Sequence, residues 1–151
     1  MITTGPLNAI DGRKNQVAFI EVFNQYLKDF VAGVREFADV VKTIYHEFVH
    51  VKQLLNLDGF KNVTPFNEYE FEAEFETIKN KSLPQYQSIP TQNWEHGWVP
   101  IRTYLLDGSK NNAEVIKKYR KQIEYILNNV VTAKTAVNLK KLIEIRTGVK
   151  F

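Results

Sequence analysis

The sequence predicts a mainly α-helical fold, one domain over residues 1–151 with room for a small sheet near the N-terminus. Three observations carry this expectation. Apolar residues recur at steps of three or four through several long segments, the spacing that places them on one face of a helix. Helix stop and start signals separate those segments, at Asp58-Gly59, at Thr64-Pro65 and at Ser109-Lys110-Asn111. The 151 residues, 44% hydrophobic and 25% charged, suffice for one core that needs no disulfide staples.

The first periodic segment runs from about Asn15 to Val34, through Val17, Ile20, Phe23, Leu27 and Phe30. Val17, Phe19, Glu21 and Phe23 also alternate as a short strand does, so its first half reads either way. The second runs from about Glu36 to Leu57, with Gly59 placed as its C-terminal cap. The third begins at Thr64-Pro65, an N-cap followed by proline at the first helical position, and continues to about Lys81. Within it Tyr69, Phe71, Ala73 and Phe75 alternate with Glu70, Glu72, Glu74 and Glu76, a pattern that also suits a half-buried strand. Glutamate favours helix over strand, and the capped start agrees, so helix is the expectation. The fourth segment carries Val115, Ile116, Tyr119, Ile123, Ile126, Leu127 and Val130, and a fifth, Ala133 to Arg146, follows or continues it. Between Ser82 and Gly108 the prolines 84, 90 and 100 and Gly97 break helices, with Tyr86, Trp94, Trp98 and Tyr104 among them. A loop of that length in a small domain is ordered and functional, or hides short strands.

Composition removes several chemistries. With no cysteine, the chain has no disulfide framework, cysteine-zinc ribbon, iron–sulfur cluster or thiol nucleophile. Twenty basic residues against 17 acidic ones give a net charge of +3, a slight excess that does not point to nucleic acid. The cluster Lys117, Lys118, Arg120 and Lys121 reads first as a solvated helix face and second as a docking face for an acidic partner. No apolar run is long enough to span a membrane. Residues 1–6 lack the basic and apolar regions of a signal peptide, which leaves cytoplasmic location, or export as part of a longer protein, open.

Only three histidines occur, His46, His50 and His96. The first two stand in His46-Glu47-Phe48-Val49-His50, an H-E-x-x-H sequence. Residues four apart lie on one helix face, so two imidazoles so spaced can bind one zinc ion. The glutamate beside the first histidine then reaches the water at the open position and takes its proton as general base. The flanks suit a helix. Val41, Ile44, Phe48, Val51 and Leu55 form an apolar stripe expected to face a core, and Asp39, Thr43, His46, His50 and Gln53 form the opposite stripe, expected to face a cleft. A third protein ligand must be His, Asp or Glu, and the following helix offers Glu68, Glu70, Glu72, Glu74 and Glu76. Glu70, Ala73, Glu74 and Thr77 share one stripe there, and Phe71, Phe75 and Ile78 another, which favours Glu70 with Glu68 as its rival.

These residues resemble the gluzincin metallopeptidases, the thermolysin-like arm of the zincins. In that family H-E-x-x-H lies on one helix, and a glutamate on the next is followed by a small residue three positions on and an acidic residue four positions on. Glu70, Ala73 and Glu74 match that pattern. The wording H-E-F-V-H-V-K-Q over 46–53 is also similar to compact bacterial metallopeptidase domains. The resemblance covers about His46 to Thr77 and implies a zincin-like domain, a zinc cofactor and a peptide or protein substrate. It implies His46, His50 and Glu70 as metal ligands, Glu47 as the catalytic base, and Glu74 as a carboxylate that orients His46. His96, or in its place Tyr86 or Tyr104, is the candidate donor to the oxyanion of the tetrahedral intermediate. Two other functions fit the same residues: a helical interaction module with a structural metal or none, and a cell-wall amidase or endopeptidase with the same metal chemistry.

Overall fold

The structure, a computed structural model, describes residues 2–8, 16–21, 24–33, 37–60, 65–83 and 100–151. It is mainly helical. The chain divides into two compact units, Met1–Thr64 with Lys79–Tyr86, and Pro65–Ile78 with Gln87–Phe151. Among the described residues no helix is long and apolar enough to cross a membrane.

The first unit opens with a small antiparallel sheet of β1 (Ile2–Asn8) and β2 (Gln16–Glu21), with Ile2 opposite Glu21 and Asn8 opposite Gln16. The ladder is irregular between Thr4 and Leu7, where Gly5 and Pro6 intervene; proline has no N–H to give to a partner strand. The segment 15–34 is therefore divided. Its period-two half is strand, and only its second half is helix, α1 (Asn24–Val31).

Helix α2 (Phe37–Leu54) packs on both strands. It ends earlier than Gly59. Asn56 takes the left-handed conformation at φ 52°, its N–H donates to the Gln53 carbonyl at 3.2 Å, and Leu57 N–H donates to the Lys52 carbonyl at 2.9 Å. That pair of bonds is a Schellman stop, and asparagine tolerates the left-handed position that glycine more often fills. Gly59, at φ 85°, belongs to the next turn.

The second unit holds the main core. Helix α3 (Phe66–Lys79) confirms helix for the alternating acidic segment. The Pro65 carbonyl accepts the first bond, from Tyr69 N–H at 2.9 Å, so the helix starts one residue later than the expected Thr64-Pro65 start. A π-helical turn at Ile101–Leu106 follows Pro100, inside the segment expected to be loop. Ile101, Leu105 and Leu106 are buried there, and Asp107 N–H reaches back five residues to the Arg102 carbonyl at 2.8 Å. The fourth periodic segment is two helices, α4 (Asn112–Lys118) and α5 (Arg120–Asn129), broken at Tyr119. Helix α6 (Ala133–Thr147) is capped by the Thr132 side chain and closed by Gly148 at φ 72°. Phe71, Ile101, Leu105, Ile116, Ile123, Ile126, Leu139 and Ile143 form the fully buried centre.

Candidate metal centre

Helix α2 delivers the two motif histidines as the spacing requires. The His46 and His50 rings stand edge to face with centroids 4.6 Å apart, and their Nε2 atoms are 3.0 Å apart. Two imidazole nitrogens bound to one tetrahedral zinc at 2.0–2.1 Å would be about 3.3–3.4 Å apart. The pair therefore fits a shared ion after a shift of a few tenths of an ångström. On the other side of the His50 ring, Nδ1 lies 2.7 Å from the Gln53 side-chain oxygen. Glu47, beside His46 in sequence, is itself buried, at 7% exposure.

The burial of α2 departs from the expected wheel. Ile44 and Phe48, assigned to the core, are 44% and 45% exposed, whereas His50 and Gln53, assigned to an open cleft, are buried. Hydropathy alone orients a helix by its apolar stripe. Here the polar stripe can be buried because its groups satisfy one another, His46 with His50 and His50 with Gln53. The role of Gln53 is what the sequence reasoning missed; its signal was the i, i+3 spacing from His50.

Helix α3 sorts its glutamates by stripe. Glu68 pairs with Lys118, and Glu72 accepts a hydrogen bond of 2.8 Å from the Tyr119 hydroxyl. Burial, that bond, and the negative charges of Glu72 and Glu68 push the Tyr119 phenol far above the ordinary tyrosine range. Glu68 and Glu72, four apart, thus serve the second unit's own packing. Glu70 and Glu74, two residues on from each, act instead on Tyr104 of the π-helical turn. Burial first, then the charges of Glu70 and Glu74, raise its phenol pKa. Ala73 is fully buried, with Thr77 Oγ1 donating to its carbonyl at 2.8 Å.

His46 and His50 lie in the first unit and Glu70, the expected third ligand, in the second, so the described geometry of the centre is that of the histidine pair. Two imidazoles and one carboxylate are a donor set that zinc takes in open catalytic sites. His96, Tyr86, Trp94 and Trp98 lie outside the described residues. In the basic cluster, Lys117 pairs with Glu114 at 3.0 Å, Arg120 with Glu124 at 2.9 Å, and Lys118 with Glu68, so its charge is largely spent within the unit.

Compared with family models, curated proteins and solved structures, the chain matches none of them.

Proposed function

We propose that the chain is a zinc-dependent metallopeptidase of gluzincin-like type, acting on a peptide or protein substrate. The observation that carries this is the paired His46 and His50 Nε2 atoms, 3.0 Å apart on a helix whose next residue after His46 is a buried glutamate. A histidine pair on an ordinary helix surface would have neither the convergence nor the burial. In this reading His46, His50 and Glu70 hold the ion and leave its fourth position to water.

Bound zinc would supply a Lewis acid that brings the pKa of a water molecule to about 7. Glu47 takes the proton of the attacking water and returns it to the leaving amine as the peptide bond breaks, so one carboxylate serves as base and then as acid. Burial of Glu47 keeps bulk water from competing for that proton. Glu74, one helical turn beyond Glu70, orients a ligand histidine by accepting its second ring N–H. Tyr104 holds its phenolic proton and so can donate to an oxyanion, the role also open to His96.

The test compares wild type with Glu47→Gln. Both should retain zinc, and only the wild type should cleave a peptide library, with a loss on the order of 10²–10⁴-fold in the variant. Equal cleavage by both proteins would overturn the assignment of Glu47. Zinc retained without Glu47-dependent cleavage of peptides would favour the interaction module, and Glu47-dependent cleavage of peptidoglycan fragments alone would favour the cell-wall hydrolase.

A further inference from the structure

The same site holds one residue that H-E-x-x-H chemistry does not require. We propose that Gln53 is a positioning residue for the metal centre: its side-chain carbonyl accepts the Nδ1 proton of His50 and so holds Nε2 as the metal-binding nitrogen. The inference rests on the zinc reading above.

Proton placement on the His50 ring follows from its neighbours. Gln53 Oε1 lies 2.7 Å from His50 Nδ1, and a carbonyl oxygen has no hydrogen to give, so the shared proton belongs to the ring. A neutral imidazole carries one N–H, and with it on Nδ1 the lone pair sits on Nε2. Nε2 is the atom aimed at His46, whose own Nε2 lies 3.0 Å away. Without the ion the contact then has one donor and one acceptor, the His46 N–H and the His50 lone pair, as a 3.0 Å N···N approach requires; zinc would take the place of that shared proton.

Packing makes the arrangement firm. Gln53 is 0% exposed, so no water competes for its oxygen, and its side chain is fixed by its surroundings. Three residues separate it from His50 on α2, so both lie on one face, one above the other. A glutamine also orients the ring without adding a negative charge. It leaves the negative charge of the site to the carboxylates already assigned there.

The experiment uses the whole chain, free of zinc, with long-range ¹H–¹⁵N correlation NMR of the histidine rings. Wild type should show His50 protonated on Nδ1. Gln53→Met, close in length but without the acceptor, should shift the ring toward the Nε2–H form, and Gln53→Glu should restore Nδ1–H. Zinc competition against a chelator should show affinity weaker by roughly 10–100-fold in Gln53→Met and recovered in Gln53→Glu. An Nε2–H tautomer in zinc-free wild type overturns the proposal, and that spectrum needs no variant to fold. Unchanged zinc affinity in folded Gln53→Met overturns it too, while leaving the metal reading intact. Wild type that binds no zinc would sink the metal reading itself, a result that the Gln53 variants cannot imitate.

Discussion

Replacing Glu68 and Glu70 separately by alanine asks which glutamate of α3 serves the metal and which the fold. Glu68 makes an ion pair with Lys118, and its carboxylate side chain is only 9% exposed, while Lys118 is about half exposed. A hydrogen bond to a charged group contributes about 1.5–3 kcal/mol when buried. The exposure of Lys118 lets water take up part of that on deletion, so about 1–2 kcal/mol is the expected loss for Glu68→Ala. For a chain of this size each kcal/mol moves Tm by roughly 2–4 °C, which gives a drop of roughly 2–8 °C. Glu70→Ala deletes the proposed third ligand. Its zinc affinity should fall by more than the roughly 10–100-fold typical of an outer partner. Melting in the presence of a chelator, and zinc competition against a fluorescent indicator, read the two effects separately. Glu68→Ala should melt early and bind zinc normally; Glu70→Ala should do the reverse. If Glu68→Ala loses zinc and Glu70→Ala does not, the division of α3 into structural and ligand stripes is wrong.

Other outcomes follow from the second unit. Tyr119 donates to Glu72, and its raised pKa means that the folded chain keeps a proton that the unfolded chain loses near pH 10, so stability from this group is full below about pH 10 and declines above it. Tyr119→Phe should therefore cost about 1.5–3 kcal/mol at neutral pH and flatten the alkaline decline, both read from chemical denaturation at several pH values. A methyl group at Gly108 would sit 2.8 Å from the Thr103 carbonyl, a backbone atom that cannot swing away, and 2.7 Å from the Asn67 amide. Gly108→Ala should cost about 1–3 kcal/mol, and an unchanged denaturation midpoint would show that this close approach is not maintained in solution.

The parts legible in the sequence were those where local chemistry and the fold agree. The four-residue spacing of His46 and His50 needs only a helix to bring the rings together, and α2 supplies it. Glutamate propensity outweighed strict alternation at 69–76 and gave α3 correctly. The outward position of Ile44 and Phe48 was not legible, because it depends on a polar chain of histidine and glutamine that makes the opposite face fit for burial. The break at Tyr119 was hidden because Ile116, Tyr119 and Ile123 keep helical spacing across it. The roles of Glu68 and Glu72 depend on Lys118 and Tyr119, about fifty residues away in sequence, and no local pattern records such partners.

The most direct test of the central claim is X-ray absorption spectroscopy at the zinc edge on the zinc-loaded chain. The account predicts two imidazole nitrogens at about 2.0–2.1 Å and a carboxylate oxygen at about 2.0–2.2 Å, with one imidazole lost in His50→Ala. A shell without imidazole scattering, or one unchanged in His46→Ala and His50→Ala alike, would contradict it.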